Sequence, residues 1–270
     1  MIDSKLIKKA AKWIDSRSRV VAFSGAGISK ESGISTYRDP GGLWDRYPEG
    51  SSGGLLAVLA NHPEEGSRIL LGFLDSLKRA KPNPGHSALV DLEKMGYVKV
   101  IITQNVDNLH VEAGSSRVFE LHGNFLRFRC LSCGKRWKLK RKEYFEMMEE
   151  ILISSTRLTM KDLFSRLPHC SCGGDSRIDF VGFGEGVQDL PEAVAEAEAA
   201  ALMLILGTSG VVYPAASIPL SAKSRGALIV EINPNVTELT EYADLFVQGS
   251  TGEILPRIVA ALRNLKRGQD

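Results

Sequence analysis

The chain's four cysteines fall in two tight pairs, Cys130-x-x-Cys133 and Cys170-x-Cys172. Paired thiolates separated by a long excursion are metal spacing, not a disulfide framework. Four sulfurs leave no open coordination position, so the ion expected is one structural zinc. Gly134 and Gly173-Gly174 supply the turns such knuckles need. The second pair is tighter than the common spacing, which leaves His169 as the alternative ligand. Cysteine used this way fits a reducing compartment, and the expected location is cytoplasmic.

A second reactive set follows two short apolar runs. Ile101-Ile102-Thr103 leads into Gln104-Asn105-Val106-Asp107, and Val118-Phe119-Glu120-Leu121 leads into His122-Gly123. An imidazole titrates near neutral pH, so it can take a proton from a hydroxyl and return it. A neighbouring carboxylate such as Asp107 is expected to raise its basicity. His122 is therefore the candidate base, with Asn105 and Asp107 beside it, although a lone histidine is more often structural. His110 and His86 are weaker candidates, and His110 sits where it can simply pack.

A third set follows Val20-Val21-Ala22-Phe23: Ser24-Gly25-Ala26-Gly27-Ile28-Ser29, with Gly33 further on. Glycines after a strand let the backbone approach a pyrophosphate, and a following helix N-terminus attracts its charge. The third glycine of the dinucleotide fingerprint would fall on Lys30, so the plain fingerprint fails. Alone, the loop reads as a tight turn as readily as a nucleotide site. Arg38 can pair a phosphate; locally it reads as a surface ion pair with Asp39.

These groups need elements to hold them. Apolar runs recur at 20–23, 98–103, 118–121, 178–181, 202–206, 228–232 and 245–247, and helical patterns lie between many of them. Continuous apolar strands alternating with helices predict a mostly parallel α/β sheet covered on both faces, Rossmann-like in kind. Ligands bind outside the carboxyl ends of such strands, so six polar exits are expected to converge on one crevice. The first helix is expected to bury Leu6, Ala10, Trp13 and Ile14. Residues 34–54 read as a loop, and 55–77 as helix broken at Asn61-His62-Pro63. Asn83 or Ser87 is placed to cap the helix leading to Leu92. The segment from Cys130 to Cys172 reads as an insertion, basic and then acidic, with a solvated helix face. The expected division is an α/β domain from 1–34, 86–123 and 178–270, a loop and helical module at 35–85, and a zinc module at 124–177.

The 270 residues are long for one simple domain. A net charge of +2 gives no argument for nucleic acid. The longest apolar run, Ala199 to Leu206, is too short to span a bilayer, and the N-terminus does not read as a signal peptide. The expectation is a monomer binding neither membrane nor nucleic acid.

Together these residues resemble the sirtuin family, the NAD-dependent protein lysine deacylases. The likeness runs from Val20 to about Leu262. It is carried by Gly25-Ala26-Gly27-Ile28-Ser29, Glu31-Ser32-Gly33-Ile34, Tyr37-Arg38, Gly41-Gly42-Leu43-Trp44, Thr103 to His110, Glu120-Leu121-His122-Gly123, the cysteine pairs, Phe183-Gly184-Glu185, Gly207-Thr208-Ser209 and Asn233. Their order and spacing are specific where no single motif is. The resemblance implies that Gly25, Ala26, Gly27, Ser29, Tyr37, Arg38, Gln104, Val106, Asp107, Gly207, Thr208, Ser209 and Asn233 hold NAD. It implies that Asn105 and Asp107 line a nicotinamide pocket and that His122 is the base on the adjoining ribose. Val181, Phe183 and Gly184 would pair with an extended acyl-lysine peptide by strand addition. The acyl group would pass from lysine to ADP-ribose as nicotinamide leaves. The alternative for the same pocket is a mono-ADP-ribosyltransferase or NAD glycohydrolase. A non-catalytic nucleotide-binding module and a hydride-transfer dehydrogenase fit less well.

The sequence departs from the family pattern in four places. Ser35-Thr36-Tyr37-Arg38 replaces Pro-Asp-Phe-Arg, and Ile178 replaces a proline. Lys30 replaces a small polar residue. Thr36 appears in the branch that removes acidic acyl groups, but that branch's Tyr-x-x-Arg pair would fall near Leu70 and Phe73, where it is missing. Gly182 replaces a bulky residue, so the expectation is a tunnel tolerating acyl groups larger than acetyl.

Overall fold

A computed structural model describes residues 3–35, 43–155 and 158–268. The apolar runs form nine strands among them. These are β1 (Val20–Ser24), β2 (Val98–Thr103), β3 (Val118–Glu120), β4 (Gly123–Cys130), β5 (Arg136–Trp137), β6 (Ser176–Phe180), β7 (Leu202–Leu206), β8 (Leu228–Asn233) and β9 (Leu245–Gln248).

Six of them make a parallel sheet in the order β3-β2-β1-β7-β8-β9. Counted within that sheet, the order is the doubly wound one, and it reverses direction between β1 and β7. Alternate residues of each strand face opposite sides. Val20 and Ala22 pack with the helices Ser4–Asp15, Pro84–Lys94 and Thr251–Lys266. Val21 and Phe23 pack with Leu190–Glu198 and Ile218–Ser224. Both faces are covered, which is why these strands carry almost no polar residues before their last position. In the first helix the buried stripe is Ile7, Ala10, Ala11 and Ile14, with Leu6 and Trp13 at its edge. The apolar face is therefore turned by about one residue from the expected one.

The remaining strands form a small antiparallel sheet, β5-β4-β6. It shares one core with helices 50–61, 66–79 and 141–153 through Leu70, Leu74, Phe125, Phe128, Tyr144 and Ile178. Ile178 is 2% exposed there, which accounts for an apolar β-former at that position. Residues Gly50–Gly54, expected as loop, belong to a helical segment kinked at Gly54, whose φ is 67°. The break at Asn61-His62-Pro63 separates two helices as expected. Asn83 caps the next helix, its side chain accepting from the amides of Gly85 and His86. Among the described residues, no helix is long and apolar enough to cross a membrane.

Candidate active site

Parallel strands deliver their carboxyl ends to one side, and the reversal between β1 and β7 opens a gap there. A cavity of about 1120 Å³ occupies it. Gly25, Ala26, Gly27 and Ser29 reach it from β1; Gln104, Asn105, Val106 and Asp107 from β2. Gly207, Thr208 and Ser209 reach it from β7, Asn233 from β8, and His122 from the turn after β3. Val181, Phe183 and Gly184 line its rim after β6. Tyr37 and Arg38 lie outside the described residues.

The two glycine exits are pressed together. The amide of Gly27 donates to the carbonyl of Gly207 at 2.8 Å. A β-carbon on Gly27 would lie 2.6 Å from that oxygen, and one on Gly25 2.7 Å from Thr208 Cβ. These glycines are required by the approach of two backbones, and the result is a bare peptide surface at the switch point, a fitting cradle for a dinucleotide. The loop continues as a helix of the 3-10 kind, Ala26–Ser32, and ends at Gly33 with φ 85°.

His122 is half-buried. Its Nδ1 lies 3.0 Å from the Gln104 carbonyl oxygen. A carbonyl accepts only, so Nδ1 carries the proton and Nε2 is the ring's basic nitrogen. Burial lowers the His122 pKa, and the Gln104 carbonyl opposes that in part. This corrects the expectation that Asp107 raises it. Asp107 is engaged elsewhere: Ser29 Oγ donates to its Oδ2 at 2.6 Å and the Leu109 amide to its Oδ1 at 2.9 Å. Burial raises the Asp107 pKa, and those two bonds pull it back. Asn105 Nδ2 donates to the same Ser29 Oγ at 3.1 Å, so one hydroxyl joins the amide to the acid.

Other predicted residues brace the cleft. Gln104 Nε2 donates to Thr208 Oγ1 at 2.9 Å, and Asn233 Nδ2 donates to the Thr208 carbonyl at 2.9 Å. The Val181 amide donates to the His122 carbonyl at 2.9 Å. Phe183 is 49% exposed and packs on the bare backbone of Gly54. At Gly182, a β-carbon would lie 2.8 Å from Leu56 Cδ1. The bulk missing at 182 is thus supplied by Leu56 from another element. Sequence reasoning placed Phe73 near the acyl group but missed Leu56 and Phe125, apolar residues that also line the cavity. Helical spacing marked Leu56 as apolar, but nothing in it distinguished a cavity wall from core.

The cysteines converge. All four sulfurs lie within 4.8 Å of one another, Cys130 Sγ 3.6 Å from Cys172 Sγ and Cys133 Sγ 3.7 Å from Cys170 Sγ. A tetrahedron with Zn–S bonds of about 2.3 Å has edges of about 3.8 Å, so the set fits one zinc. The amides of Ser132 and Cys133 point at Cys130 Sγ, both at 3.4 Å. His169 is outside the cluster, exposed and 3.2 Å from Asp175. Such a closed site stiffens the small sheet and offers no position for substrate.

A doubly wound sheet with a bare-backbone cleft at its switch point, beside a four-thiolate module, defines an α/β dinucleotide-binding protein. Residues 25–214 match the family model described as the Sir2 family, and the chain belongs to that family. It is 45% identical over 266 residues to an NAD-dependent protein deacylase of Desulfosudis oleivorans, covering 97% of each chain. It is 40% identical to an NAD-dependent protein deacylase of Pyrococcus furiosus, covering 97% of this chain and all of that one, 100%. Among solved structures, a Sir2 homolog–NAD complex superposes with a TM-score of 0.76 at 38% identity, covering 96% of this chain and 94% of that one. A Sir2 variant with a deacetylated p53 peptide and 3'-O-acetyl ADP-ribose gives 0.77 at 32% identity, covering 94% and 97%.

Proposed function

We infer that this chain is an NAD-dependent protein deacylase of the sirtuin type, acting on acyl-lysine peptides. The observation that carries the mechanism is the His122 ring, tied through Nδ1 to the Gln104 carbonyl on the same cavity wall as Asn105 and Asp107. NAD supplies a ribose carbon activated by a nicotinamide leaving group and a hydroxyl that receives the acyl chain. Gly25, Ala26, Gly27, Gln104, Val106, Gly207, Thr208, Ser209 and Asn233 would hold it, as would Tyr37 and Arg38, which lie outside the described residues.

Asn105 spends its amide N–H on Ser29, which leaves its carbonyl oxygen to receive the carboxamide of nicotinamide. Asp107, anchored twice, accepts from the same carboxamide. Fixing that ring at both edges directs its departure, and a fixed geometry is what a poor amide nucleophile needs. With nicotinamide displaced by the acyl oxygen, His122 Nε2 would take the proton of a ribose hydroxyl as that oxygen adds to the former amide carbon. The C–N bond to lysine would then break, releasing the amine, and water would complete the transfer. Because burial keeps the ring neutral, the base is ready at pH 7.

Val181, Phe183 and Gly184 bind the peptide by strand addition. A neutral acyl group is the reading proposed, because the positions to which the resemblance assigns a Tyr-x-x-Arg reader of acidic acyl groups hold Leu70 and Phe73. We propose a protein that works as a monomer. It works in the cytoplasm, where its thiols stay reduced. The test is nicotinamide release with and without an acetyl-lysine peptide, for wild type and His122→Ala. Release that needs the peptide and the imidazole supports a deacylase. Release without peptide would instead indicate ADP-ribosyl transfer or NAD hydrolysis.

A further inference from the structure

Behind the cleft lies a buried polar chain that the reaction above does not use. Ser24 and Thr103, the last residues of β1 and β2, are adjacent in register. Ser24 Oγ donates to Thr103 Oγ1 at 2.9 Å, and the Asn105 amide donates to the same Thr103 Oγ1 at 3.1 Å. Those two bonds fill the acceptor capacity of that oxygen. Ser24 Oγ has given up its proton, so its contact with His110 Nε2, at 2.9 Å, is one in which Nε2–H donates. His110 Nδ1 then holds a lone pair, and it is buried with no partner. The opposite tautomer would leave Ser24 Oγ and His110 Nε2 both without a proton to share, and would add a second orphaned buried N–H to the one at His86 Nε2.

The other side of His110 leads to the cofactor loop. Its ring meets His86 edge to face, centroids 4.9 Å apart. His86 Nδ1 accepts from the Asn83 amide at 3.3 Å, and Asn83 Nδ2 donates to the Ile28 carbonyl at 2.6 Å and to Ser32 Oγ at 3.0 Å. His86, His110, Ser24 and Thr103 are all at most 2% exposed. The two rings meet without a hydrogen bond, so the hydrogen-bonded run is His110, Ser24, Thr103 and Asn105, and a buried run of this kind is costly unless it fixes something.

We propose that His110 is a positioning residue: a neutral imidazole locked as the Nε2–H tautomer that, through the Ser24 and Thr103 hydroxyls, sets the direction of the Asn105 backbone. The consequence for catalysis rests on reading Asn105 as part of the nicotinamide pocket; the consequence for structure does not. A chain of donors with one orientation has one arrangement, whereas an exit held by water has several. Asn105 is thereby held at two points, its amide N–H by Thr103 and its side chain by Ser29.

The test uses the zinc-loaded full chain and the variants His110→Phe, Thr103→Val, Thr103→Ser and the double variant His110→Phe/Thr103→Val. Two readouts are taken. The first is NMR: imidazole nitrogen shifts of His110 and hydrogen exchange of the Asn105 amide. The second is kcat and KM for an acetyl-lysine peptide with NAD. Expected are a protonated Nε2 and bare Nδ1 from pH 6 to 8, and faster Asn105 exchange in His110→Phe and Thr103→Val. Each of those variants should lose about tenfold in kcat with little change in peptide KM. Thr103→Ser keeps the hydroxyl and should recover most of the rate. The double variant should be no worse than the poorer single one, because both break one chain. An Asn105 amide as protected in His110→Phe as in wild type, a Thr103→Ser as slow as Thr103→Val, or losses that multiply in the double variant would each overturn the proposal. If wild type releases no nicotinamide, the deacylase reading falls, while the exchange data still decide this one.

Discussion

The Nδ1 of His122 lies 3.0 Å from the main-chain oxygen of Gln104, so the imidazole proposed as the base is oriented by a neutral dipole and not by a carboxylate. Removing the ring removes both the proposed base and that contact. His122→Ala is expected to lose about 100-fold or more in acyl-dependent nicotinamide release while keeping its zinc. Since burial sets the imidazole below its ordinary 6.5, the acid limb of kcat/KM should fall below pH 6.5. A limb above that value would show a carboxylate acting on the ring after all.

Ser29 offers a second pH test. Its hydroxyl holds the Asp107 pKa down against the upward push of burial. In Ser29→Ala that restraint is gone, so Asp107 takes up its proton at higher pH than in wild type. Nicotinamide release at fixed NAD should fall by about tenfold at pH 6, with a smaller loss at pH 8. A loss equal at the two pH values would assign Ser29 to the backbone of the loop instead.

Two buried imidazoles make the fold acid-sensitive. Burial takes His86 from 6.5 to about 4 and holds His110 well below 6.5. Above pH 6.5 neither the folded nor the unfolded chain binds these protons, and the full stability is present. Below it the unfolded chain takes them up first, and stability is lost as pH falls toward the folded value. His86 alone accounts for about 3 kcal/mol by pH 4. Urea midpoints at pH 7 and pH 4.5 should fall further in wild type than in His86→Gln; equal falls would clear His86.

Zinc removal should undo the small sheet and, through it, the reaction. Cys130 ends the strand whose first residue, Gly123, follows His122. Chelation is expected to expose four titratable thiols, to melt the near-ultraviolet signal of the Phe128, Trp137 and Tyr144 cluster, and to abolish deacylation until zinc returns. Full activity in the metal-free protein would show that the base does not depend on that sheet.

Acyl-chain length is expected to answer to Leu56. Because Leu56 fills the place left by Gly182, Leu56→Ala should raise kcat/KM for octanoyl- over acetyl-lysine peptide by about tenfold. Gly182→Trp must displace Leu56 and should narrow the range to the shortest acyl groups. Unchanged preference in both variants would place the acyl chain elsewhere.

Much of this was legible in the sequence because strand exits are short and local. An apolar run followed by Gln104-Asn105-Val106-Asp107 or Gly207-Thr208-Ser209 places those residues at a sheet edge whatever the rest does, and the cysteine spacing announces a metal. What was not legible depends on partners far apart in the chain. Asp107 is expected beside His122 because the two leave neighbouring strand ends; tertiary structure gave the acid to Ser29. The helix expected after β1 became a 3-10 segment because Gly27 is drawn onto Gly207. Leu56 covers Gly182 only after two helices and a sheet have met, and no periodicity encodes that. Ser24 and Thr103 did carry a signal, a hydroxyl ending each of two apolar strands.

The contact between the Val181 amide and the His122 carbonyl has a mechanical meaning. The rim that would grip an incoming peptide and the residue that would move its proton are neighbouring links of one backbone splice. A peptide seated one residue out of step would tug on the imidazole's own main chain. On the proposed roles, correct docking and correct chemistry would be judged by the same joint.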